Sequence, residues 1–174
     1  MRERFAEVRR RADLLLRALK LLQNENLQRN LTIVGSGPEE SNLRKLTTEL
    51  SLDRQVTFAG QQSGAELARI LNQHRILVVP SRWAEPFGIV ALEGIACGCV
   101  VVGSKNGGLT EAIGSCGLTF KNGEVAALGA QLKRLLSEPE LVANLRRDAT
   151  EHLVKFQPDQ VAAAYLRLMR KIAA

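Results

Sequence analysis

Residues 80–114 read PSRWAEPFGIVALEGIACGCVVVGSKNGGLTEAIG, and they span two strand–loop–helix units in tandem. In the first unit, a strand-like run at 75–79 leads into a polar loop, and a helix-like run begins near Gly88. In the second unit, an apolar run at 99–102 leads into the Gly-rich loop 106–108 and another helix start. Ligands of open parallel sheets bind outside the carboxyl ends of the strands. We therefore expect both loops to face one crevice.

The same alternation of strands and helices continues along the chain and predicts an α/β fold with a parallel sheet and flanking helices. Ser63 and Glu66 have the spacing of a capping box at the start of a helix that ends near Asn72. We expect residues 1–174 to form a single domain that ends in a helical tail from about residue 139. The remaining predicted strands are 31–34, 56–59 and 118–120, and the closing helices are 125–136, 139–154 and 158–172.

The composition of the 174 residues is that of a globular protein, with 45% apolar residues. The sequence has no apolar run of about 18 residues and no apolar segment behind its basic start. We therefore expect neither a membrane span nor a secretory signal, and we expect a cytoplasmic location.

The three cysteines, Cys97, Cys99 and Cys116, form no Cys-x-x-Cys pair and are expected to be small core residues. His74 and His152 stand apart from them, and we predict no metal site.

The formal net charge of +6 includes five arginines in the first eleven residues, at positions 2, 4, 9, 10 and 11. Three interpretations remain open for this basic run: a solvated helix face, a contact to an anion such as a diphosphate, or an arm that binds nucleic acid. Aromatic residues are only 4% of the chain, and none is interleaved with the arginines. A stacking platform for single strands is therefore not expected, and we predict no nucleic-acid partner.

The string in residues 80–114 resembles the donor-site signature of retaining glycosyltransferases of family four, the group 1 family. Further matching pieces are LTIVGSGP at 31–38 and VTFAG at 56–60. The resemblance implies a Rossmann-like, donor-binding C-terminal half of a two-domain enzyme of the GT-B type. Such an enzyme moves a sugar from a nucleoside diphosphate to an acceptor hydroxyl with retention, in carbohydrate biosynthesis. The resemblance also implies a nucleotide-sugar substrate, no metal or other cofactor, an N-terminal partner domain, and peripheral membrane association of the complete enzyme.

By the same resemblance, Glu85 contacts the transferred sugar as the catalytic residue, and Glu93 holds the ribose. Carboxylates suit these tasks because each can accept hydrogen bonds from two adjacent hydroxyls. The amides of Phe87, Gly88 and Ile89 would open a helix toward the sugar or the distal phosphate, where free N–H groups attract anions. Gly88 would also let the backbone approach a ligand closely. For Phe87, packing within the loop is an equal alternative.

Members of this family recognise the nucleotide base with the backbone at the positions of Phe58, Ala59 and Gly60. An ordinary strand end with a turn glycine explains these three residues equally well. The Gly-x-Gly at 35–37 lacks the third glycine of a dinucleotide fingerprint, and we interpret it as a tight turn.

The family neutralises the leaving diphosphate with an arginine of a Gly-Arg-Leu turn and a lysine that follows. The counterparts here are Arg4, and Arg9 or Arg10 near the lysine position, with Glu3 where the glycine would be. Loss of this pattern matters because the departing dianion needs fixed positive charge.

The family also has a central strand before that turn, whereas only a few charged residues precede the first helical pattern here. We therefore expect the sheet to lack its first strand, and the isolated chain to be a fragment that binds donor weakly and is inactive without its N-terminal domain. The competing hypothesis is a non-catalytic nucleotide-binding or interaction module whose basic N-terminus docks RNA or a partner protein.

Overall fold

The computed structural model describes residues 2–4, 11–81 and 83–173. These residues form one six-stranded sheet in which every neighbouring pair is parallel, in the order β3-β2-β1-β4-β5-β6. The α/β prediction is therefore confirmed. The strands are β1 (Arg2–Arg4), β2 (Leu31–Val34), β3 (Val56–Phe58), β4 (Ile76–Val79), β5 (Val100–Ser104) and β6 (Gly117–Phe120).

Helices follow the strands as parallel connections require. Pro139 and Pro158 each stand at the start of a helix, as Pro in a first turn predicts. The single helix expected at 139–154 is wrong, because the backbone of Asp148 leaves the helical region (φ −94°, ψ 9°) and separates two helices. The helices are α1 (Ala12–Asn24), α2 (Glu40–Glu49), α3 (Gly64–Asn72), α4 (Ile89–Ala96), α5 (Leu109–Ile113), α6 (Val125–Ser137), α7 (Pro139–Arg147), α8 (Ala149–Val154) and α9 (Pro158–Ala173).

The strands β4 and β5 are buried at every position because both faces of the sheet are covered. Ile76 and Val78 join the cluster beneath α1 and α6, whereas Leu77 and Val79 join the cluster beneath α4 and α5. This alternation follows from side chains that point to opposite faces at successive positions of a strand. The sheet is thus packed on both faces, and the loops lie at the amino and carboxyl ends of its strands.

The expectation that the sheet lacks its first strand is wrong. Arg2–Arg4 form β1 at the centre of the sheet, where Arg2 pairs with Thr32 of β2 and with Leu77 of β4. The residues Arg-Glu-Arg carry no apolar strand pattern, but a parallel ladder is made by backbone N–H and C=O groups and does not depend on the side chains. The backbone pairing with β2 and β4 therefore holds β1 in the sheet, although its side chains show no strand pattern.

The capping box expected at Ser63 does not form, although α3 begins at the predicted place. Ser63 makes no side-chain cap, and Glu66 instead forms an ion pair with Arg69 one turn along the helix. The exposed pair satisfies the carboxylate that a capping box would have used.

The cysteines pack in the interior or near it: Cys99 and Cys116 are buried and Cys97 is partly buried. Burial raises the pKa of the Cys116 thiol, so this side chain behaves as a small apolar residue. In the described part of the chain, no helix combines the length and the apolar character that crossing a membrane requires.

Candidate functional site

The two loops that follow β4 and β5 are joined directly to each other. Glu85 and Gly107 form an isolated parallel bridge, and the amide of Gly108 donates to the carbonyl of Glu85 at 2.7 Å. Glycines are required here, because a Cβ on Gly108 would collide with the carbonyl group of Pro86, whose carbon would lie 2.8 Å away. The loops that follow β4 and β5, which were predicted to face one crevice, are therefore held together by backbone contacts.

Ser81 fixes the side chain of Glu85. It is the second residue after β4 and is only 3% exposed, and its hydroxyl donates to Glu85 Oε1 at 2.7 Å. A hydroxyl that is held inside the protein orients a carboxylate more firmly than an exposed partner can. Sequence reasoning gave Ser81 no role, although a small polar residue directly after a buried strand is a usable signal.

The helix α4 begins at Ile89, as expected, and Gly88 is its N-cap residue. Gly88 has φ +138°, and a Cβ there would lie 2.8 Å from Leu109 Cδ1 and 3.2 Å from Leu109 Cα. The absence of a side chain at Gly88 thus serves packing between α4 and α5, in addition to any approach of a ligand. Ile89 is 67% exposed in the first turn, and Glu93 is partly buried one turn further along.

Phe87 belongs to a cluster of three rings in tilted and edge-on contact that the sequence analysis missed. Its ring lies 5.3 Å from the ring of Phe156, which in turn lies 5.1 Å from the ring of His152. His152 is buried, and its Nε2 donates to the carbonyl of Ala112 at the end of α5 at 2.8 Å. The loop before α4 is therefore tied to α8, which supports packing for Phe87. Phe156 lies in the turn after α8, four residues beyond His152, and this spacing was the available signal.

Phe58, Ala59 and Gly60 lie at the carboxyl ends of β2 and β3, on the same edge as the other two loops. The amide of Ala59 donates to Ile33 at 2.8 Å, and the carbonyl of Gly60 accepts from Gly35 at 2.7 Å. The carbonyl of Ala59 accepts from the Gln62 side chain at 2.8 Å. The amide of Ala59 is used within the sheet, so a ligand at this edge would meet carbonyl oxygens, and those of Ala59 and Gly60 already accept one hydrogen bond each.

Arg11 and Arg4, two residues of the basic N-terminal run, lie at the same edge. The amide of Arg11 donates to the carbonyl of Pro80 at 2.9 Å, next to Ser81. The side chain of Arg11 pairs with Asp13 at 3.0 Å, and the hydrogen bond to that carboxylate raises the pKa of Arg11. Arg4 ends β1, also at the carboxyl edge, with its backbone beside Val34. Arg9 and Arg10 lie outside the described residues.

No group of three or more His, Cys, Asp and Glu residues that could hold a metal ion occurs within residues 2–4, 11–81 and 83–173. That the protein works without metal or other cofactor stays a prediction.

Comparison with known proteins identifies the family to which the chain belongs. The model of the family described as glycosyl transferases, group 1, matches residues 3–152. D-inositol 3-phosphate glycosyltransferase of Saccharomonospora viridis is 34% identical over 173 residues, which cover 93% of this chain and 40% of the relative. Glycogen synthase of Mycobacterium tuberculosis is 33% identical over 150 residues, which cover 84% of this chain and 36% of that enzyme.

Solved structures give the same picture of the fold. Sucrose-phosphate synthase from Thermosynechococcus elongatus superposes with a TM-score of 0.78 at 28% identity, over 98% of this chain and 45% of that one. HepE of Anabaena, crystallised with UDP and glucose, superposes with a TM-score of 0.75 at 21% identity, over 95% of this chain and 48% of that one. The chain thus spans about two fifths of the length of the curated relatives and less than half of these structures.

Proposed function

This chain belongs to the group 1 glycosyl transferases, and we propose that it is the donor-binding half of a retaining enzyme. The reaction we propose moves a sugar from a nucleoside diphosphate to an acceptor hydroxyl. In that reaction the bond between the anomeric carbon and the phosphate oxygen breaks, and the diphosphate leaves with the electron pair. The acceptor oxygen bonds to the anomeric carbon and loses its proton.

The observation that carries this proposal is the joined pair of loops at the carboxyl edge of β4 and β5. Glu85 is held there on both sides, by the bridge to Gly107 through its backbone and by Ser81 through its side chain. A carboxylate in a fixed position at the edge where parallel sheets bind ligands is suited to hold sugar hydroxyls. We therefore assign Glu85 to the transferred sugar and Glu93, in the helix behind it, to the ribose.

Positive charge for the leaving diphosphate would come from two sources. The amides of Phe87, Gly88 and Ile89 open α4, and the start of a helix attracts an anion through free N–H groups and its dipole. Arg4, at the end of β1, and Arg9 or Arg10 would add full charges. We assign the base to the carbonyl groups of residues 58–60.

The other half of the reaction needs a domain of the kind that the relatives carry in addition to this one. We propose that this partner domain supplies the acceptor site, so the chain alone binds donor weakly and transfers little. The ion pair of Arg11 with Asp13 gives no support to the competing hypothesis of a basic docking arm.

We expect Glu93→Gln to weaken nucleoside diphosphate binding about tenfold, because a neutral amide replaces charge-assisted hydrogen bonds to the ribose hydroxyls. Titration calorimetry with UDP, GDP and ADP measures this and also reveals the preferred base. The matched control is Glu111→Gln, which neutralises an exposed carboxylate on α5, and this variant should bind as the unaltered chain does. Equal affinities for Glu93→Gln and the unaltered chain would rule out the assignment of Glu93.

Ser81→Ala should reduce the affinity for UDP-glucose about fivefold while leaving the affinity for UDP unchanged, because only the sugar is assigned to Glu85. The control is Ser104→Ala, which removes another buried hydroxyl, one with no hydrogen-bond partner among the described residues. Two outcomes would contradict a role of Ser81 in orienting Glu85 toward the sugar. One is an equal loss of UDP-glucose affinity in both alanine variants, and the other is that Ser81→Ala lowers the affinity for UDP as much as the affinity for UDP-glucose.

A further inference from the structure

A second cavity lies at the amino-terminal edge of the sheet, opposite the loops of the proposed donor site. It has a volume of about 500 Å³ and is lined where β2, β3 and β4 begin, by Asn30, Gln55 and Arg75 among others. The strand β4 has four residues, which at about 3.3 Å each place this edge about 13 Å from the edge that carries Ser81. The cavity is therefore separate from the donor crevice.

The cavity is strongly basic. Three arginines line it, Arg29, Arg54 and Arg75, and a fourth approaches its wall, since Arg146 Nη2 donates to the carbonyl of Arg75 at 3.4 Å. No Asp or Glu is among the described residues that line it. Asp53 lines a neighbouring cleft, which Arg54 and Gln55 also border, and it accepts there from the hydroxyl of Thr48 at 2.7 Å. Three guanidinium groups around one concave space thus face no carboxylate within it.

The rest of the wall is firm and partly apolar. His74 Nε2 lies 2.9 Å from the hydroxyl of Thr32 and His74 Nδ1 lies 3.1 Å from the carbonyl of Ile70, so this ring ties the end of α3 to β2. Leu135 of α6 and Val142 of α7 are buried and close the other side. The side-chain oxygen of Gln55 is buried without a hydrogen-bond partner, an unusual state for a polar atom in a wall.

We propose that this cavity binds a small soluble molecule that carries a phosphoryl group. Guanidinium groups match phosphoryl oxygens with paired N–H donors, and a dianion with three terminal oxygens can engage more than one of them. A volume of about 500 Å³ lies within the range of small-molecule sites, and the apolar side formed by α6 and α7 suits the body of such a ligand. This proposal does not depend on the assignment of the donor site.

The test is a titration with pyrophosphate at an ionic strength held constant with sodium chloride, followed by calorimetry and by backbone amide shifts. We expect the amides of Asn30, Gln55 and Ile76 to shift together. Arg54→Gln and Arg75→Gln should each weaken binding about tenfold. The control Arg167→Gln removes an equivalent exposed charge on α9 and should bind as the unaltered chain does. Because the altered side chains are exposed, the melting temperatures should stay unchanged.

Shifts confined to Gly88 and Ile89, or equal affinities in all three arginine variants, would overturn the proposal. A second arm uses vesicles of phosphatidylglycerol, because a lipid headgroup carries the same phosphoryl chemistry. We expect sedimentation with vesicles to be independent of Arg54 and Arg75. Sedimentation that is lost in both variants would contradict the assignment to a small soluble ligand.

Discussion

Gly107→Ala is expected to lower the free energy of unfolding by about 3 kcal/mol, which is the sum of two costs. The backbone of Gly107 is left-handed (φ +59°), which disfavours any side chain. A Cβ there would also collide with the carbonyl oxygen of Glu85, and it would lie 2.8 Å from the carbonyl carbon of Ala84. These neighbours are backbone atoms, so they cannot turn aside as a flexible side chain would. Urea denaturation measures the loss.

The matched control for Gly107 is Gly123→Ala. Gly123 also has a left-handed backbone (φ +83°), but no atom lies within 4 Å of the Cβ that an alanine would add. This variant should lose only the conformational part, about 1 kcal/mol. The difference between the two variants measures the contact between the loops that follow β4 and β5. Equal losses would mean that these loops are not locked together.

Gly114→Ala is expected to cost about 4 kcal/mol, because it combines a forbidden backbone conformation with a collision against a buried ring. Gly114 has φ +50° at the end of α5, and its Cβ would overlap His152 Cε1 and lie 2.8 Å from His152 Nδ1. Displacing this ring breaks its hydrogen bond to Ala112 and moves Phe156 away from Phe87. Urea denaturation should show the loss of stability, and the ring signals of Phe87 should shift in NMR spectra.

Gly98→Ala is the control for Gly114, since Gly98 has φ +76° and open space where the Cβ would be added. It should cost about 1 kcal/mol and leave the signals of Phe87 in place. If Gly114→Ala is no less stable than Gly98→Ala, or if the Phe87 signals do not move, then α8 does not support the loop before α4.

The architecture could be predicted because β4 and most of β5 are apolar runs of strand length. Val78 and Val101 stand in short, β-branched apolar runs that are typical of a sheet covered on both faces, and the loops after such strands mark the ligand edge. The strand β1 could not be predicted, because Arg2–Arg4 pair through their backbone and their side chains give no pattern. The break at Asp148 within the predicted helix 139–154 was also missed, because it is a local change of backbone conformation at one residue.

Site residues that belong to one continuous sequence motif could be predicted. Contacts between residues far apart in the chain could not. Glu85 and Gly107 could be placed at one edge from the order of strands and loops alone. The packing of Phe87 on Phe156 joins residues far apart in the chain, which only the folded structure brings together. For Gly88, sequence reasoning named a ligand as the cause, whereas the structure adds the neighbouring side chain of Leu109.

The central claim is that the loops after β3, β4 and β5 bind a nucleoside diphosphate together. A titration of the isotope-labelled chain with UDP, followed by backbone amide shifts, tests it most directly, because amide shifts detect even weak binding. We expect the amides of Gly60, Gly88, Ile89 and Glu93 to shift together with one binding constant. Shifts of the amino-terminal edge alone, or none at these four residues at saturating UDP, would contradict it.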